Sequence, residues 1–144
     1  MSYGDLSPEL LVMISPPQDL IDEYRFFIGD GEVITGSTYK INGEHDEREG
    51  FTVEAYNLAM EVAKEKWQPS SVYSIDVCSL EPKHGEFVSY RVVEVNGFNS
   101  AGLYACDYEK LIRRVNEIAD KEWIEYWTNV GVTTPPFLVS HFPL

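Results

Sequence analysis

Apolar and polar positions along this chain follow two different periods. From Glu23 to Ile28, and again from Glu32 to Tyr39, aromatic and β-branched residues fill two short runs. Gly29-Asp30-Gly31 between them supplies the positive φ angles of a tight hairpin turn. Val72 to Val77 and Phe87 to Asn96 repeat the pattern, with the polar stretch Glu81 to Glu86 as the loop of a second hairpin. Between the hairpins the spacing changes to three and four. Tyr56, Ala59, Met60, Ala63 and Trp67 predict an amphipathic helix, capped by Thr52 and ended before Pro69. A longer helix is predicted after its cap Asp107. Leu111, Val115, Ile118 and Ala119 form its apolar stripe, Arg113, Arg114, Glu117 and Lys121 face water, and its aromatic end, Trp123 to Trp127, is expected to pack.

Three segments read differently. Leu10 to Ser15 is a short apolar run closed by Pro16-Pro17, which predicts a strand leading into a rigid turn. Asn42 to Gly50 contains no apolar residue and reads as a solvated loop. Asn129 to Leu144, with Pro135-Pro136 and Pro143, reads as an irregular tail that lies on the domain or docks on a partner. The order is strand, hairpin, helix, hairpin, helix. It predicts an α+β domain over residues 1–128, with a mainly antiparallel sheet and helices on one face, followed by the tail at 129–144.

Composition narrows the class. With 144 residues, 44% hydrophobic and 13% aromatic, the chain can bury a core, which excludes a disordered tail, a collagen or a disulfide miniprotein. Eleven Lys and Arg against 24 Asp and Glu give a formal charge of -13. That field repels phosphate backbones and anionic membranes, so neither nucleic acid nor a membrane is an expected partner. It is compatible with a local basic pocket for a nucleotide whose charge a metal partly carries. Cys78 and Cys106 lack any CxxC or His spacing and read as buried reduced thiols. With no basic, apolar leader and no run of about 20 apolar residues, a cytoplasmic location is expected.

The late strands carry the chemistry. Asp76 sits between apolar neighbours, and alternation along Val92-Val93-Glu94-Val95-Asn96 sets Glu94 and Asn96 on one face and Val93 and Val95 on the other. If these strands pair, Asp76, Glu94 and Asn96 share a face. Crowded carboxylates in a partly dry site call for a compensating cation, and an all-oxygen set suits Mg2+ or Mn2+. The plainer alternative has all three facing solvent on the outer side of an antiparallel sheet. His45, His84 and His141 fall in expected loops or the tail, so no nucleophile, base and acid set is singled out.

These residues resemble a known family. Asp76 in its apolar strand, then Glu94-Val95-Asn96 followed by Gly97-Phe98-Asn99-Ser100-Ala101-Gly102-Leu103-Tyr104, look like the metal-binding signature of the ATP-grasp superfamily. Glu23 to Ile28, Asp30-Gly31 and Val33 to Lys40 resemble the strand pair before it, especially in a bacterial and phage branch, so the likeness runs from about Leu10 to Arg114. It implies the C-terminal, metal-binding subdomain of an ATP-dependent carboxylate-amine ligase, in which a carboxylate is activated as an acyl phosphate and an amine displaces the phosphate. It further implies Asp76, Glu94 and Asn96 as ligands of one or two Mg2+ or Mn2+ ions. Arg25 and Lys40 would contact ATP phosphates, Ser100 would lie beside phosphate or acceptor, and Met13, Ile14 and Ser15 would form the hinge strand beside adenine.

Arg25 has a plainer role open to it, a local ion pair with Glu23 or a cross-strand one, and Lys40 that of a solvated strand-end lysine. Ser74 stands where many relatives carry an arginine. On this resemblance the chain begins near the hinge without the family's N-terminal subdomain, so a second copy or a partner chain is expected to complete the clamp. The alternative function is a noncatalytic binding or assembly module that keeps the fold.

Overall fold

The computed structural model describes residues 9, 11, 14–82 and 85–131. Its centre is the predicted hairpin. β1 (Leu20–Gly29) and β2 (Glu32–Ile41) are joined by Asp30 and Gly31, both at positive φ (53° and 80°), as a two-residue turn that follows strand twist requires. β2 turns again at Asn42-Gly43, with φ of 50° and 79°, into β3 (Glu44–Glu49). The expected loop over 42–50 is therefore an edge strand. Its residues are polar on both faces, so no alternation marks it, and the Asn-Gly turn is the only local signal.

Thr52 caps α1 (Val53–Ala63) through a bond accepted from the Ala55 amide. The second hairpin follows as β4 (Val72–Leu80) and β5 (Ser89–Gly97). A single turn of 3-10 helix over Phe98–Ser100 then leads to α2 (Tyr108–Asn129), capped by Asp107 through the Lys110 amide. The strands form one five-stranded sheet in the order β3-β2-β1-β4-β5, antiparallel throughout. The fold class is α+β.

The helices cover opposite faces of this sheet, not one. On the first face Tyr24, Phe26 and Ile28 of β1 and Tyr73, Ile75 and Val77 of β4 pack against Ala55, Ala59 and Ala63, whose small side chains let α1 approach closely. On the second, Phe27 and Ile34 pack with Cys106 and Leu111. The physical reason is that β1 is buried at every position from Glu23 to Gly29, so both of its faces need cover. The apolar stripes also shift from expectation. Trp67 lies beyond α1 and is exposed, Ala119 faces solvent, and Leu111 and Ile118 are the buried residues of α2. The aromatic end of α2 remains at the surface, where Trp123, Tyr126 and Trp127 pack edge to face on one another.

Of the strand expected over Leu10 to Ser15, the described residues Leu11, Ile14 and Ser15 are exposed and belong to no strand. Met13, His84, His141 and the segment 132–144 lie outside the described residues. No helix among the described residues is long and apolar enough to cross a membrane.

Candidate functional site

α2 covers only part of its face of the sheet. The remainder of that face is polar, and strand register decides which polar groups meet. Arg25 of β1 lies opposite Asp76 of β4, and Asp76 lies opposite Glu94 of β5. Directly opposed residues project to the same side, so Arg25, Asp76 and Glu94 form a row across three strands. Ser74 and Asn96 oppose each other one step further along. Bringing Glu94 into this row takes an extra residue in β5, because the register slips between Asp76 and Val77 and leaves Val93 unpaired.

The row is tightly bonded. Arg25 Nε donates to Asp76 Oδ1 and Nη2 donates to Oδ2, each at 2.7 Å, the planar fork meeting a carboxylate edge to edge. The cross-strand alternative for Arg25 is thus the one realised, while Glu23 pairs elsewhere. Nη1 of Arg25 donates to the Gly102 carbonyl at 3.2 Å, and Glu94 Oε1 lies 3.6 Å from Nη2. Arg25 is 6% exposed and Asp76 1%, whereas the Glu94 side chain is half open to solvent. The hydrogen bonds that Arg25 donates to Asp76 outweigh burial and hold the guanidinium charged well beyond its ordinary range.

A second β-bulge builds the next layer. Glu23 pairs with Lys40 but Tyr24 pairs with Thr38, so Tyr39 is the extra residue, and Tyr39 and Lys40 both reach Glu23. Lys40 Nζ donates to Glu23 Oε1 at 2.7 Å. The Tyr39 hydroxyl lies 2.6 Å from Glu23 Oε2 and 3.0 Å from Asp76 Oδ2, with one proton to share between them. Burial, and then the bond to Glu23, push the Tyr39 phenol far above its usual range, and the bond to Glu23 raises Lys40. Three carboxylates, Glu23, Asp76 and Glu94, thus face two cations, Arg25 and Lys40.

The loop between the 3-10 turn and α2 closes over this cluster. Tyr104 takes a left-handed backbone (φ 48°) and stacks on Tyr39 with ring centroids 4.6 Å apart and planes 7° from parallel. The Arg25 guanidinium carbon lies 4.7 Å from the Tyr104 ring centroid and 5.5 Å from that of Tyr39. Beneath, the Cys106 thiol donates to Ser37 Oγ at 3.3 Å. Burial raises its pKa, so it stays a protonated packing group.

The family model of an ATP-grasp domain, family 3 of its clade, matches residues 2–115. The chain belongs to the ATP-grasp superfamily. No curated protein and no solved structure matches it. The match spans all five strands and α1 of this ATP-grasp domain and ends within α2, so the exposed aromatic turns of that helix lie beyond it.

Of the residues singled out in the sequence, Asp76, Glu94 and Asn96 lie on one face with Arg25, and Lys40 is joined to them through Glu23 and Tyr39. Ser100 is exposed in the 3-10 turn and donates to Asn99 Oδ1 at 3.3 Å, while Ile14 and Ser15 are exposed before β1. Glu23 as partner of Lys40, Tyr39, Tyr104 and the Gly102 carbonyl were not singled out. The one usable signal was Gly102-Leu103-Tyr104 inside the family motif. The donors that this ATP-grasp domain offers a hard cation are right in kind, all oxygens on one face. They are not drawn together as a cage: among the described residues no three acidic, His or Cys groups are placed to hold a metal, and both Asp76 oxygens accept from Arg25.

Proposed function

We propose that this ATP-grasp domain binds Mg-ATP on the polar part of the sheet face that α2 does not cover, as the nucleotide- and metal-binding part of a ligase that joins a carboxylate to an amine. The observation that carries the reading is the row of Arg25, Asp76 and Glu94 across β1, β4 and β5, where a fork suited to phosphate lies against two oxygen ligands. Asp76, Glu94 and Asn96 would hold Mg2+ or Mn2+, which when bound neutralises charge on the β and γ phosphates. Arg25 and Lys40 would bind and orient the phosphates, and their charge would oppose the charge that builds on the transferring group. The substrate carboxylate becomes an acyl phosphate, from which the amine displaces phosphate. Ser100 stands in the loop where the acceptor would enter.

Calorimetric titration with a nonhydrolysable ATP analogue, with and without Mg2+, tests this reading, together with the mass in solution. Binding that depends on Mg2+ is expected, and Glu94→Gln should abolish that dependence without unfolding the chain, because the Glu94 side chain is half exposed and belongs to no core cluster. Nucleotide affinity unchanged in Glu94→Gln would remove the metal assignment. No binding at all would favour a noncatalytic assembly module.

A further inference from the structure

Arg25 and a divalent ion compete for the same atoms. Asp76 is the most buried carboxylate among the described residues. One of its oxygens accepts from Arg25 Nε, and the other from Nη2 and faces the Tyr39 hydroxyl. Three of its roughly four acceptor positions are thereby engaged. A metal ion on Asp76 would also stand beside the guanidinium, with like charges in a partly dry site.

The guanidinium is in turn fixed from several sides. Gly102 accepts from Nη1, the Tyr104 ring covers it at 4.7 Å, and Tyr39, stacked on Tyr104, flanks it. Tyr104 holds a left-handed backbone that non-glycine residues seldom adopt, so the conformation of the 101–106 loop depends on these contacts. The same guanidinium thus ties Asp76 to this loop.

We propose that Arg25 is a latch that serves Asp76 as an internal cation and gives it up only to a polyphosphate, so that the divalent metal binds together with the nucleotide and not before it. This rests on the nucleotide and metal reading above and adds the coupling between the two. A phosphate group offers the fork a second bidentate anion of matching geometry, which a lone metal ion does not. Once Arg25 turns to it, Asp76 and Glu94 are left without their cation, and the metal takes that place. Nucleotide and metal must then raise each other's affinity by the same factor.

Titration of the whole chain with Mn2+, followed by water-proton relaxation, tests the latch without any turnover. The wild type is expected to bind Mn2+ strongly only when the nonhydrolysable ATP analogue is present. Arg25→Lys keeps the charge but cannot bond both Asp76 oxygens. It should bind Mn2+ alone at least about tenfold more tightly, as follows if the latch is closed in nine molecules of ten. Tyr104→Leu alters no charge and leaves the Arg25-Asp76 pair in place, so it guards against a folding defect in the first variant. It should shift Mn2+ affinity in the same direction, and hydrogen exchange at 101–106 should rise in the wild type with analogue and metal together. Equal Mn2+ affinity with and without the analogue would keep the metal reading and overturn the latch. Failure of all three chains to bind Mn2+ even with the analogue would overturn the metal reading and the latch with it.

Discussion

At Glu23 a single carboxylate serves the Lys40 ammonium and the Tyr39 phenol, and the phenol reaches on to Asp76. The ammonium and the phenol hold their protons more tightly when folded. Tyr39, Lys40, Cys78 and Cys106 all have raised pKa values, and Tyr24 is pushed up to about 12 by burial. Above the unfolded values, 9.0 for Cys, 10.0 for Tyr and 10.5 for Lys, the native state binds more protons than the unfolded one. Stability contributed by these groups is complete below those values and is lost as pH rises toward the folded ones. The urea midpoint should therefore hold through neutral pH and fall above about pH 9. Tyr39→Phe should cost about 1–3 kcal/mol at neutral pH, since it strips a hydrogen bond from buried carboxylates, and should make the alkaline decline shallower. A midpoint that stays level to strongly alkaline pH would contradict the assignment. Sequence pattern reached Asp76 and Glu94, and the family resemblance Arg25 and Lys40, but Tyr39 looked like any strand aromatic until the bulge aimed it.

Among the elements, β1 and β2 show how far local pattern carries. Their alternation and the Asp-Gly turn sufficed to predict the hairpin, and the caps at Thr52 and Asp107 sufficed for the helix starts. β3 escaped because a strand exposed on both faces has no apolar period, only its turn. Gly36 also has a role that composition hides. A Cβ there would lie 2.4 and 2.7 Å from two Phe26 ring atoms and 3.0 Å from the Arg25 carbonyl, where a rigid ring and backbone cannot yield. Gly36→Ala should destabilise the domain by about 1–3 kcal/mol through overpacking, read as a lowered thermal midpoint. A midpoint equal to the wild type would mean that the hairpin shifts freely, and the row built on β1 would then be less rigid than its hydrogen bonds indicate.

For the molecule as a whole, the formal charge of -13 opposes a polyanionic ligand, while the candidate site offers Arg25 and Lys40, both already paired. Long-range repulsion is screened beyond about 8 Å at physiological ionic strength. Association of a fluorescent ATP analogue with Mg2+ should consequently speed up as salt is added, measured by stopped flow. Slower association with salt would show that local cations outweigh the overall field. The two helix layers belong to this scale as well. One face of the sheet is filled by α1, whereas α2 fills only part of the other, and the polar row occupies the remainder beneath the loop that carries Gly102 and Tyr104.

By itself the sequence determined the hairpins, the helices with their caps, the α+β class and the acidic residues on which the family signature rests. Side-chain period, turn chemistry and capping act within a few residues of chain, so they can be read without a fold. Only the tertiary structure decided which cation meets Asp76. Arg25 and Asp76 are 51 residues apart, and their meeting depends on strand order and register, while two bulges bring Tyr39 and Glu94 to them. A slip of one residue in any of those pairings would turn a charge of this row to the opposite face, so register between distant strands, not residue type, makes the site.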